Sequence, residues 1–103
     1  MITFAALADP TRRQIVEMLA GGERTAGDIA RQFDVSAPAI SQHLKVLRQA
    51  RLVRVRAEAQ RRIYTLDADG IGEIDAWLSD IRRFWSERLD ALEHELRSEG
   101  ETQ

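Results

Sequence analysis

The chain has 103 residues, 44% hydrophobic and 31% charged, with a formal net charge of −2, two His and no Cys. That length matches one domain without an appended catalytic module, and zero cysteines exclude disulfides, thiolate zinc sites and cysteine nucleophiles. No apolar run approaches the roughly 20 residues of a membrane span and no signal-like start is present, so the expected compartment is the cytoplasm.

A short amphipathic segment, Ile2 to Ala8, is expected to form the first helix. Asp9-Pro10 opens the second, with Asp9 as cap and Pro10 at a position whose N–H is not needed. Ile15, Val16, Met18 and Leu19 form its apolar stripe, and Gly21-Gly22 stops it. Thr25, with Asp28 three residues on, suggests a near capping box before Ile29, Ala30 and Phe33. After a tight turn at Asp34-Val35, Ser36 caps a helix running to about Ala50, with Ile40, Leu44 and Leu47 inward. Leu52, Val53 and Val55 then alternate with Arg54 and Arg56, and Arg62 to Leu66 follows a polar tip, Ala57-Glu58-Ala59-Gln60. That period-2 pattern predicts a β-hairpin. Past Asp67-Ala68-Asp69-Gly70, a long helix carries Ile71, Ile74, Leu78, Ile81, Trp85, Leu89, Leu92 and Leu96 on one stripe, widened by Trp77 and Phe84. The expected fold is therefore mainly α with a small β-hairpin, a winged helix-turn-helix in one domain over 1–98. The helix-turn-helix covers about 25–50, the wing about 52–66 and a C-terminal dimerisation helix about 70–98, with a flexible tail at 99–103.

The small net charge hides a split. Residues 11–62 hold eleven basic side chains against five acidic ones, a surplus of six; residues 63–103 hold four Arg against eleven acids, a deficit of seven. One part of such a molecule suits a polyanion while the other faces water or a partner.

The run Leu7-Ala8-Asp9-Pro10-Thr11-Arg12-Arg13-Gln14-Ile15, followed by Val35-Ser36-Ala37-Pro38-Ala39-Ile40-Ser41-Gln42-His43-Leu44-Lys45-Val46-Leu47, resembles the arsenic-repressor (ArsR/SmtB) family. The resemblance extends over the hairpin to Leu66. It implies a small winged helix-turn-helix repressor, usually a homodimer, that leaves DNA when an effector binds. The stretch from Phe84 to Glu93 is similar to a branch that lacks the familiar metal sites.

The helix from Ser36 is the candidate recognition helix. Its inward positions leave Ala37, Pro38, Ser41, Gln42, Lys45 and Arg48 on the opposite face. Small side chains let its N-terminal half approach a major groove, Gln42 can pair two bonds to adenine, and Ser36, Ser41, Lys45 and Arg48 suit phosphates. Many relatives carry a polar residue, often Gln, where this chain has Ala37, which removes one base contact. His43 lies beside the inward positions and reads as a partly buried side chain that places the helix. At the hairpin tip, Arg56, Gln60, Arg61 and Arg62 face only Glu58 and are candidates for the DNA backbone or minor groove; the same charges would also protect a sheet edge.

In relatives of the thiolate type, cysteines sit on the first helix of the helix-turn-helix, where this chain has Thr25-Ala26-Gly27-Asp28-Ile29. The C-terminal helix has acids, including Asp75, Asp80, Glu87 and Asp90, but His94 is its only imidazole, so no metal and no cofactor are expected. No phosphate loop or Ser/His/Asp arrangement suggests catalysis. The partners expected are an operator duplex and a second copy of the chain, through Phe4, Leu7, Ile81, Trp85, Leu89 and Leu92, with no membrane and an unspecified effector. A winged-helix module for an acidic protein, and a metal-responsive repressor using carboxylates and His94, remain the rivals.

Overall fold

Three polar side chains decide where the helices begin. The Asp9 carboxylate accepts the Arg12 N–H at 3.1 Å, with Pro10 at the first helical position. Thr25 Oγ1 accepts the Asp28 N–H at 3.1 Å while Asp28 Oδ2 accepts the Thr25 N–H at 3.4 Å, a reciprocal capping box. Ser36 Oγ accepts the Ala39 N–H at 3.2 Å. Each bond satisfies an amide that the helix leaves unpaired.

The computed structural model describes residues 2–101, with the Glu101 side chain left aside. In chain order the elements are α1 (Ile2–Ala6), α2 (Pro10–Ala20), β1 (Arg24–Thr25), α3 (Ala26–Arg31), α4 (Ala37–Gln49), β2 (Val53–Glu58), β3 (Arg61–Leu66) and α5 (Ala68–Glu101). The apolar stripes meet in one core: Ile15 and Leu19 of α2, Ile29 of α3, Ile40, Leu44 and Leu47 of α4, then Leu52, Val53 and Tyr64 from the wing.

The sheet has three antiparallel strands in the order β1-β3-β2, one more than the hairpin expected from the sequence. Strand β1 is two residues long, too short to show alternation, and it pairs Arg24 with Tyr64 and Thr25 with Ile63. The hairpin is also tighter than the four-residue tip suggested. Pairing runs out to Glu58 opposite Arg61, and the turn is Ala59-Gln60 alone, with Ala59 at φ 56°.

The end of α4 sets the course of both the wing and the last helix. Arg51 adopts a left-handed φ of 58°, a conformation that glycine usually occupies after a helix. The Arg51 N–H donates to the Arg48 carbonyl and the Leu52 N–H to the Leu47 carbonyl, both at 3.0 Å, which closes the helix in a Schellman pattern. The Arg51 carbonyl then accepts the Gly70 N–H at 2.8 Å, and the Leu52 carbonyl accepts the Asp67 N–H at 2.9 Å. A Cβ on Gly70 would lie 2.3 Å from that Arg51 oxygen, so the root of α5 sits where only glycine fits.

Helix α5 starts two residues before the expected boundary, because Asp67 Oδ1 takes the Asp69 N–H at 2.9 Å. It continues through Gly100 to Glu101, so 99–101 are helical rather than a frayed tail; the rest of the expected tail, 102–103, lies outside the described residues. Helix α1 braces its first turns: Thr3 Oγ1 donates to Glu73 Oε2 at 2.5 Å, and the Phe4 ring meets Trp77 edge-on at 5.0 Å. Beyond that brace α5 projects. Its 34 residues span about 51 Å at 1.5 Å each. The radius of gyration is 20.2 Å, against about 13 Å for a compact domain of this length.

Two glycines two residues apart should respond oppositely to alanine. Gly70→Ala should destabilise by about 1–3 kcal/mol or more, because its methyl meets backbone. Gly72→Ala, with nothing within 4 Å of its Cβ, should gain about 0.5–1 kcal/mol from helix propensity. Urea denaturation of both variants checks the pair, and equal shifts would contradict the close Arg51–Gly70 joint.

Candidate nucleic-acid interface

The surface of α4 divides cleanly. Ile40, Leu44 and Leu47 are buried, while Ala37, Pro38, Ser41, Gln42, Lys45 and Arg48 are all exposed. The expected outward set is therefore on one side of a single helix. Ser36 spends an acceptor lone pair on its cap, which leaves its O–H free to donate outward. Lys45 and Arg48 make no ion pair among the described residues, so both charges remain available to an anion.

His43 sits between the outward and inward faces, about one fifth exposed. Its Nδ1 lies 3.3 Å from Arg12 Nη1 and 4.0 Å from Asp9 Oδ1. A guanidinium only donates, so in the neutral ring Nδ1 is the acceptor and the ring proton sits on Nε2. Arg12 also donates through Nε to the Ala6 carbonyl at 2.6 Å, and Arg13 reaches the Leu7 carbonyl at 3.0 Å. The stretch from Asp9 to Arg13 thus knots the α1–α2 turn and ties it to α4. The role read for His43, placing the helix, is what this geometry provides. The partner residues were not foreseen, since 31 residues separate Arg12 from His43.

The basic tip does not act as one group. Directly paired residues share a face of a ladder, so Arg56, Glu58 and Arg61 lie on one side and Arg62 on the other, with Ala57 opposite it. Arg56 is already engaged. Its Nη1 donates to Glu23 Oε2 at 2.7 Å and its Nη2 to Glu58 Oε2 at 3.3 Å. Sequence alone set only Glu58 against these cations; Glu23 arrives through the β1–β3 pairing, 33 residues away. The Arg56 hydrogen bond, reinforced by the charges of Arg56 and Arg61, holds the Glu23 carboxyl below its usual range. Arg61 and Arg62 are exposed and make no ion pair among the described residues.

Along α5 the apolar residues lie open. Ile81 is 38% exposed, and Trp85, Leu89 and Leu92 each exceed half. Phe4 rests on Trp77 of its own chain, and Leu7 packs against its own core, so these two serve the monomer first. Two of the helix's four arginines are tied to its acids: Arg83 to Asp80 at 2.7 Å and Arg97 to Glu93 at 2.6 Å. His94 shares a shallow concavity with Asp90, Glu93 and Arg97, whose guanidinium occupies Glu93. Among the described residues no three His or carboxylate groups gather closely enough to hold a metal ion. No described helix is long and apolar enough to cross a membrane.

Residues 9–55 match the family described as bacterial regulatory protein, arsR family. The chain is 49% identical over 98 residues to the HTH-type transcriptional regulator Rv2034 of Mycobacterium tuberculosis, covering 95% of this chain and 89% of that one. It is 41% identical over 75 residues to the transcriptional repressor SdpR of Bacillus subtilis, covering 73% and 83% respectively. Among solved structures, the homodimeric winged helix-turn-helix DNA-binding domain of a Mycobacterium bovis protein superposes with a TM-score of 0.65 at 28% identity. That match covers 80% of this chain and 76% of the other.

The clasp at Asp9 carries a pH dependence. The Arg12 N–H, with His43 and Arg12 charge acting the same way, lowers the Asp9 carboxyl below its usual value against the opposing effect of burial. A lowered carboxyl stabilises the fold above its unfolded pKa, about 3.9, and loses that contribution as pH falls through the folded value. Asp9→Asn keeps a capping oxygen but no charge. Its stability deficit against the wild type should be full above about pH 5 and close as pH drops below about 4. Urea midpoints of the two chains across that range test this; a deficit constant with pH would contradict it.

Proposed function

Because the chain belongs to the arsR family of bacterial regulatory proteins, we propose that it is a homodimeric, sequence-specific DNA-binding repressor that acts without a metal effector. The observation that carries this reading is the outward face of α4, where Ser41, Gln42, Lys45 and Arg48 project from a helix whose other face is locked in the core. Ala37 and Pro38 keep the N-terminal turn slim enough for the backbone to approach a major groove. Gln42 reads a base edge, Ser36 and Ser41 donate to phosphate oxygens, and Lys45 and Arg48 supply charge. Arg61 and Arg62 of the wing add backbone contacts.

A homodimer follows from the projecting half of α5. Fully burying each Leu, Ile or aromatic side chain is worth roughly 1.5–3 kcal/mol, so a contiguous exposed stripe calls for a covering surface. A second copy supplies it through Ile81, Trp85, Leu89 and Leu92, and the similar Mycobacterium bovis domain is a homodimer. Two linked recognition helices then meet successive major grooves about 34 Å apart, and each raises the effective concentration of the other. Repression is supported by the similarity to SdpR. Metal-independent action is supported by the absence of cysteine and by Arg97 occupying Glu93 beside His94.

Footprinting on the DNA upstream of the chain's own reading frame tests the reading, and failure to retard any duplex would favour the acidic-protein alternative. With an operator in hand, Gln42→Ala should weaken operator binding by about 1–3 kcal/mol and leave random DNA nearly unaffected. Arg62→Ala should weaken both equally and flatten the salt dependence by about one phosphate contact. Fluorescence anisotropy at several salt concentrations measures all of these, and equal losses for Gln42→Ala on both duplexes would remove it from base readout.

Trp85→Asp places a charge in the middle of the α5 stripe. The variant should sediment as a monomer at micromolar concentration and lose most operator affinity, although residue 85 is remote from α4 in sequence. A monomeric variant with undiminished affinity would refute the coupling of assembly to binding.

A further inference from the structure

Four charges meet on one face of the wing and cancel. Arg56 and Glu58 are two residues apart on β2, and Glu58 is paired directly with Arg61 on β3. Glu23 comes from the loop after α2, carried there because β1 pairs with β3. The Arg56 guanidinium uses one terminal nitrogen on each carboxylate, at 2.7 Å to Glu23 and 3.3 Å to Glu58. Arg62, on the opposite face of the ladder, has no such partner among the described residues.

These pairs contribute little to folding. All three side chains are about half exposed, and ion pairs in that setting are worth little because solvent screens them and their side chains lose freedom. What they do change is the donor supply. Two of the five N–H donors of the Arg56 fork are held by carboxylates, which aim it toward Glu23 and Glu58, and their negative charge repels a phosphate approaching the remaining donors.

We propose that Glu23, seconded by Glu58, is an affinity-limiting residue: it withholds the Arg56 guanidinium from the DNA backbone and so sets how strongly the wing grips a duplex. The proposal rests on the chain being a DNA-binding protein. It assigns a role to the loop that leads into the helix-turn-helix, and it makes Arg56 a held reserve of charge where Arg62 is a free one. Because a phosphate contact carries no base information, releasing that reserve tightens specific and random DNA alike.

The test uses the full-length chain, an operator duplex and a random duplex, with affinity measured by anisotropy across a salt series. Glu23→Gln should bind both duplexes several-fold more tightly at low salt, with the slope of log affinity against log salt steeper by about 0.9. Glu58→Gln should do the same to a smaller degree, its contact being the longer one. In an Arg56→Ala background, Glu23→Gln should give no gain, which separates release of Arg56 from a general loss of negative charge. Thermal melts of the variants should match the wild type, since the pair is exposed. If Arg62→Ala flattens the salt slope while Glu23→Gln leaves affinity unchanged or lower, the inference fails and the DNA-binding reading stands. If neither variant alters binding, the wing does not meet DNA: the inference fails together with the wing contacts, and DNA binding through α4 is judged by Gln42→Ala alone. A gain for Glu23→Gln that persists without Arg56 would also overturn it.

Discussion

The carbonyl of Arg51 holds together the three parts that the molecule needs in fixed relation. It lies at the end of α4, it opens the strand that becomes the wing, and it accepts the Gly70 N–H at the root of α5. Arg51 itself stands in a left-handed conformation that disfavours any side chain, and the neighbouring geometry imposes it. Leu52, buried next to it, returns its N–H to Leu47 and takes the Asp67 N–H on its carbonyl. One helix end thus fixes the directions of α4, wing and projecting helix at once. In a dimer made through α5, the angle at this joint determines how far apart two copies of α4 stand, and so which groove spacing they can span.

The other restraints on α4 leave its outward face without a structural task. Ile40, Leu44 and Leu47 anchor one side, and the Asp9–Arg12–His43 clasp holds the flank. Ser41, Gln42, Lys45 and Arg48 take no part in either. Side chains free of packing duty are open to contact with a ligand, while the helix beneath them stays rigid. Rigidity has value because each base contact needs its donor within a few tenths of an ångström, and a loose helix loses that geometry before it loses stability.

What the sequence made legible was local. Asp9, Thr25 and Ser36 each act within three residues of themselves, so their caps could be read from spacing, as could the buried triad of α4. The stripe on α5 was equally plain, since periodicity reports which residues share a face. The features that escaped are those set by distant partners. Two residues of β1 carry no pattern; Glu23 reaches Arg56 only after the sheet forms; Gly70 reads as a turn signal, although the Arg51 backbone is what demands it. For the same reason the tip arginines looked alike in sequence, where strand pairing puts Arg56 and Arg61 on one face and Arg62 on the other.

Charge placement links the fold to its partner. On α5 the acids outnumber the arginines, and Arg83 and Arg97 are spent on carboxylates one turn away. On α4 and the wing, Lys45, Arg48, Arg61 and Arg62 project without such partners among the described residues. Arg82 and Arg88 of α5 lack such partners too, but there they are outnumbered by acids, so the fold gathers its net positive charge near α4 and the wing and its excess negative charge on the projecting helix. A duplex approaching this molecule is attracted at one end and repelled at the other, which orients the encounter before any base is touched. The near-zero net charge of the whole chain conceals that polarity, because it averages over two surfaces that meet different surroundings.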